Sequence, residues 1–241
     1  MIHKETEQGT PFLCGHRGRT SVLGWLVDTD AGLLARIAAG ASVLLVMALV
    51  DLRRRGRQAT RWREYVFLLF VVAVAILYAI LNDQVTCSIS WEYFYYHDPS
   101  MSEAIGPLNY GQSPSPAAVH LAAIRMAAKD AWTAGLIIGV AMLFANNPSK
   151  RFPQLPYRRL GRLAMLPLGC AILLSIVLGL AGWVGLLATF FEEFIRYDVF
   201  RPQRYITVFA AHLGLYAGGL IGTIWAVIAV RVRRQGLAAG T

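Results

Sequence analysis

Charge is scarce in this chain, and acidic charge scarcer still. Only 15% of the 241 residues are charged, 14 acids stand against 23 bases, and 56% are hydrophobic. That balance excludes an ordinary soluble globular domain. The three cysteines form no CxxC or His/Cys cluster, which removes a structural zinc site. No HExxH spacing fixes a compact set of metal ligands. No internal repeat is visible, so the inverted-repeat signature of many transporters is missing. The first apolar run starts after residue 30, has no basic segment directly before it, and runs into arginines rather than a small-residue cleavage site. It reads as a retained helix and not a cleaved signal.

What is present is a set of five long apolar runs, near 32–50, 65–82, 131–145, 163–191 and 205–230. The charges alternate between them. RRRGRQATRWR, with six arginines, joins the first two runs, and Lys150, Arg151, Arg158, Arg159 and Arg162 lie between the third and fourth. Arg231, Arg233 and Arg234 follow the last. The other two connections hold half of the acids: Asp83, Glu92, Asp98 and Glu103, then Glu192, Glu193 and Asp198. The positive-inside rule puts the basic loops in the cytoplasm. The expected fold is therefore an all-α polytopic membrane helical bundle of about five transmembrane helices, N-out and C-in. Residues 1–31 form an extracytoplasmic tail with a short interfacial segment at Ser21–Val27. Residues 32–234 form the transmembrane domain, including an extracytoplasmic loop at 83–116, and 235–241 a cytoplasmic tail. The net charge of +9 serves topology and anionic headgroups. No basic and aromatic surface stands apart from the membrane flanks, so nucleic acid is not an expected partner.

A spanning helix needs about twenty apolar residues. The third run is short, but the Ala- and Met-rich stretch before it extends the expected helix to Ala117–Asn146. Arg125, Lys129 and Asp130 on its outer third must then face protein, interface or water. The fourth run exceeds a span, so a bend near Pro167 and a helical stub through Glu192, Glu193 and Arg196 are expected.

The densest chemistry is NDQVTCSISWEYFYYHDP, Asn82–Pro99. Its tyrosines and Trp91 suit an interfacial belt, while Asp83 at the mouth of helix two suits a polar network or a bound cation. His212 lies about 10 Å inside helix five, counted from Tyr205 at about 1.5 Å per residue. An ionisable group at that depth is a functional candidate, and Tyr216 follows at i+4 on the same face. The catalytic candidates are Asp83, Glu92, Glu193, His212 and Tyr216; a divalent metal would use Asp83, Glu92, Glu193 and His212. Cys14 and Cys87, both on the outer side in this topology, are a candidate disulfide. Gly214, Gly218 and Gly222 form a groove for close helix contact, within the chain or in a homo- or hetero-oligomer. That groove and the His212–Tyr216 face lie on different sides of helix five.

DQVTCSISWEYF, KDAWTAGLIIG and AHLGLYAGGLIG together resemble an uncharacterised family of bacterial multi-spanning membrane proteins with a DQ-x-T-x-x-IS-x-EYF loop motif. Trp91 departs from the proline of that pattern. The resemblance implies a fold, emphasis on Asp83, Gln84, Glu92, His212 and Tyr216, and a bacterial inner membrane, but no activity. Three roles follow: a non-catalytic packing or assembly component of the membrane, which needs the fewest assumptions; a membrane-embedded enzyme with an outer-face Asp/Glu/His site acting on a lipid-like or periplasmic substrate; and a small transporter or channel subunit.

Overall fold

The structure is a computed structural model that describes residues 30–56, 61–109, 111–149, 152–191 and 199–239. Among them are helices and no strand: α1 (Asp30–Arg55), α2 (Arg61–Ile89), α3 (Trp91–His97), α4 (Pro99–Ile105), α5 (Pro116–Ala145), α6 (Tyr157–Leu163), α7 (Met165–Trp183), α8 (Ala188–Phe191) and α9 (Pro202–Ala239). Five segments are long and apolar enough to cross a membrane: Ala35–Arg55, Arg61–Ile89, Pro116–Ala145, Tyr157–Trp183 and Pro202–Ala238. The chain is an all-α integral membrane protein. Its contacts divide it into two compact units, 1–43 and 44–241; the candidate site lies wholly within the second.

In the second unit small residues create two tight helix pairs. A side chain at Gly218 would meet the Ala171 Cα at 2.7 Å, one at Gly214 the Ser175 nitrogen at 2.8 Å, and one at Gly222 the Pro167 Cα at 2.6 Å. The glycine groove of α9 is thus filled by α7 of the same chain, whose Gly179 and Gly182 receive Ala211 and Thr207 in return. On α5, Gly135 lies against Val72 and Gly139 against Leu68, which seats α5 on α2. Lipid tails are as apolar as leucine, so close backbone approach and dispersion, not hydrophobic expulsion, hold such pairs together.

The second membrane helix ends later than the sequence expectation, and the fourth segment breaks near Pro167. α2 runs on through Asp83 to Ile89, and the hydroxyls that end the hydropathy signal are satisfied within it: Thr86 Oγ1 donates to the Asn82 carbonyl at 2.9 Å and Ser88 Oγ to that of Gln84 at 2.9 Å. Asp83 is therefore inside the helix and not at its mouth. The fourth segment breaks at Ala164, between α6 and α7. Pro167 causes this, since its ring crowds the carbonyl four residues earlier and it has no N–H to give it. α7 then stops at Trp183 and turns at Gly185, whose φ of 82° only glycine adopts without strain. Gln203 Nε2 donates to the freed carbonyls of Gly182 and Trp183 at 2.7 and 2.6 Å. The expected stub through Glu192, Glu193 and Arg196, and the Ser21–Val27 segment, lie outside the described residues.

At the opposite end, buried Arg234 of α9 donates to four carbonyls: Ala145 at 2.5 Å, Asn147 at 2.6 Å, Phe152 at 2.9 Å and Pro153 at 2.9 Å. Beside it Asn146 pairs with the Leu155 backbone in both directions, at 2.8 and 3.1 Å. A cation on the last carbonyls of α5 also complements the negative end of that helix. Arg234 is thus a structural clamp as well as a carrier of positive charge.

Candidate functional site

The two helix pairs leave a cleft between them. Its volume is about 370 Å³, and it is lined from α2, α5, α7 and α9 by apolar side chains including Val71, Ala75, Ile138, Leu168 and Leu220. Its polar lining comes from Tyr78, Asp83, His97, Asp98, Asp130, His212 and Tyr216 toward one end. Among the described residues no lysine or arginine lines it. The glycine face of α9 turns to α7 while His212, Tyr216 and Gly219 turn to this cleft, as the two-sided pattern of that helix anticipates.

Asp83 and His212 are its centre. They are 6% and 5% exposed, and His212 Nε2 lies 3.2 Å from Asp83 Oδ1. The Nδ1 of His212 lies 2.9 Å from the Val208 carbonyl oxygen. A carbonyl only accepts, so Nδ1 carries a hydrogen. Nε2 faces a carboxyl oxygen, and a hydrogen bond there needs one more proton, on the imidazole or on the carboxyl. The pair thus holds two protons over three positions, and one of them is shared between residues on different helices. Such a group can anchor a hydrogen-bonding head, or give up and recover a proton. Asn82 Nδ2 donates to the same Oδ1 at 3.2 Å.

Aromatic rings fix the imidazole. Tyr93 lies over His212 with centroids 4.7 Å apart, and Phe94 meets it edge-on at 5.5 Å. On its other side Tyr93 stacks on His97 at 4.9 Å. Burial, followed by neighbouring Tyr216, pushes the Tyr93 phenol well above its usual range. Burial first and the His212 ring second lower the affinity of His97 for a proton, with Asp98 acting in the opposite sense. Tyr216 has its ring centroid 6.5 Å from that of His212 and is 63% exposed at the cleft.

Glu92 is drawn elsewhere. It is 2% exposed, and its carboxylate accepts the backbone N–H groups of Phe200 at 2.6 Å and Arg201 at 3.2 Å. It caps the positive end of α9 from another helix, and it is not among the residues lining the cleft. Of the four candidate ligands, the structure therefore joins Asp83 to His212 and commits Glu92 to the backbone; Glu193 lies outside the described residues. Among the described residues no three His, Cys, Asp or Glu side chains come together in a way that could hold a metal.

A residue that the sequence reading passed over, His120, organises a second polar contact. Gln84 Nε2 donates to the His120 carbonyl at 3.1 Å, and its Oε1 lies 2.9 Å from His120 Nδ1. Cys87 Sγ approaches the same nitrogen at 3.2 Å. This amide clasp sets the register of α2 on α5. A histidine one turn into an alanine-rich helix was the available signal. Cys87 is a buried free thiol, and its candidate disulfide partner, Cys14, lies outside the described residues.

No family model matches the chain, and neither a curated protein nor a solved structure matches it.

Proposed function

We propose that this integral membrane protein is a non-catalytic binder that holds one lipid-like molecule in the cleft, with a head that is not anionic. One observation carries the reading: a buried, proton-sharing Asp83–His212 pair opens onto an otherwise apolar cleft between two tightly packed helix pairs. Lipid-binding clefts combine an apolar wall with a few convergent polar groups. Among the described residues three carboxyl groups and two imidazoles line the polar end without lysine or arginine, which disfavours a phosphate or carboxylate head and suits an uncharged or cationic one. A pure packing role would leave the cleft and its polar end without a use. The resemblance of the DQVTCSISWEYF segment supports a bacterial inner membrane, and the arginines favour the cytoplasm for the Arg234 end, leaving Asp83 toward the outer face.

The test is native mass spectrometry of protein extracted from its membrane in mild detergent, followed by identification of the retained molecule. Wild type should hold one non-anionic amphipath per chain. Gly219→Leu should lose it, because Gly219 lines the cleft and a Cβ there meets nothing within 4 Å. Equal retention by wild type and Gly219→Leu, or no retained amphipath, would sink the proposal. The shared proton favours one second reading, acid–base catalysis on the held molecule; turnover lost in Asp83→Asn with binding kept would select it.

A further inference from the structure

We infer that a second groove, at the opposite end of the same unit, is a site for an anionic phospholipid. The inference does not rest on the reading of the cleft, although Met165 lines both. The groove lies between α2 and the α6–α7 segment, has a volume of about 580 Å³, and is lined by Trp62, Phe70 and Met165 with Arg63, Arg158 and Arg162.

The sequence builds it simply. In the short helix α6, Leu160 and Leu163 are buried, which anchors that helix and leaves Arg158 and Arg162, one turn apart, on a common face. Tyr157 rests against Phe67 of α2 with ring centroids 6.3 Å apart, holding the two walls together. Between the arginines sits Gly161. A Cβ there would meet only the Phe70 ring, at 3.9 Å, so the missing side chain leaves the floor open.

Charge and shape then select the occupant. Three arginines from two helices line the groove beside an apolar floor, and among the described residues no carboxylate lines it. The nearest acid in sequence, Glu64, is engaged by the Tyr157 hydroxyl, which donates to its Oε1 at 3.3 Å. Guanidinium groups bind phosphodiester oxygens with parallel N–H bonds. Trp62, with Arg63 lying 5.6 Å from its ring, is an aromatic of the kind that settles at headgroup depth. Beyond the arginines Val66, Leu69 and Phe70 are exposed along α2, a track on which an acyl chain can lie. A free phosphate ester would use the arginines but leave that track bare, so the occupant is a phospholipid. Basic pockets between helices near the bilayer surface are a known form of anionic-lipid recognition.

Native mass spectrometry of delipidated protein titrated with phosphatidylglycerol or with phosphatidylcholine of the same chains tests this. Wild type should bind one phosphatidylglycerol in clear preference to phosphatidylcholine, and soluble glycerol phosphate should not compete at equal concentration. Arg158→Gln/Arg162→Gln should weaken that binding roughly thirtyfold, each arginine contributing about a factor of five. Gly161→Leu, which leaves every charge in place, should weaken it too. The control pair Arg159→Gln/Arg233→Gln, exposed arginines of the same end that do not line the groove, should bind like wild type. Equal loss in the control pair, an unaffected Gly161→Leu, equal retention of both lipids, or displacement by glycerol phosphate would overturn the assignment. Unchanged melting temperatures would verify that the variants fold.

Discussion

His212 Nε2 faces Asp83 Oδ1 at 3.2 Å although the two residues are 129 positions apart. The bond joins α2 of one helix pair to α9 of the other, beside the cleft. Because a carbonyl already takes the Nδ1 hydrogen, loss of Asp83 leaves the buried His212 Nε2 unsatisfied, whereas loss of His212 leaves Asp83 Oδ1 with Asn82 Nδ2.

The two residues should therefore act as a unit. Asp83→Ala and His212→Ala are each expected to cost about 1–3 kcal/mol, the lower figure reflecting how readily polar groups in a membrane find other partners. The double variant should cost clearly less than the sum, because the bond between the two is lost in either single variant and the second deletion does not lose it again. Detergent unfolding curves for the four proteins give the coupling; strict additivity would mean that the bond carries no energy.

The contrast between Gly218 and Gly219 isolates packing from helix propensity. Alanine is a better helix former than glycine by about 1 kcal/mol, so both replacements gain equally in that respect. At Gly218 the new methyl would lie 2.7 Å from the Ala171 Cα, against backbone that cannot step aside, whereas at Gly219 it meets nothing within 4 Å. Gly218→Ala should lower the melting temperature and Gly219→Ala should hold or raise it. Equal shifts would show that α9 does not pack on α7 through this face.

Faces of α9 were legible in the sequence and partners were not. Glycines four apart repeat nearly once per helical turn, so Gly214, Gly218 and Gly222 announce a packing stripe, and His212 and Tyr216 fall on another side by the same arithmetic. Nothing local says that the stripe meets α7, or that Asp83 reaches His212. Glu92 shows the limit most clearly: its partners are backbone N–H groups more than 100 positions away, and backbone leaves no residue-type signature. Hydropathy puts Asp83 at a helix mouth because it falls at Asn82–Ser88, while the helix continues to Ile89 with its hydroxyls bonded to its own carbonyls, which hydropathy does not register. Arg234 was read as topology because its four partners are carbonyls, equally silent in the sequence.

His97 should report on the site by its titration. Burial and the neighbouring His212 ring hold its proton affinity below the ordinary value of 6.5, so the folded protein binds that proton less readily than the unfolded chain. The resulting contribution to stability is fully present above the unfolded value and is lost as the pH falls through the lower folded one. Replacing His212 with Gln should move the His97 midpoint upward. NMR titration of the His97 ring protons in wild type and H212Q checks both; a midpoint at or above the ordinary value in wild type would contradict the stacked arrangement.

Arg234 supplies the last test. Its guanidinium satisfies four carbonyls at the end of α5 and in the following connection, and no carboxylate competes among these bonds. Arg234→Ala should cost about 2 kcal/mol or more, since hydrogen bonds to a charged donor contribute more than neutral ones. Arg234→Lys should recover little, because an ammonium offers a point charge where the site needs a planar fork. Hydrogen exchange localises the effect. The Leu155 amide, bonded to Asn146 Oδ1 at 2.8 Å beside the clamp, should exchange faster in both variants, while amides of α7 at its packed contact with α9 remain protected. If charge alone were needed, Lys would match Arg at Leu155; protection restored by lysine would assign Arg234 to topology and not to the clamp.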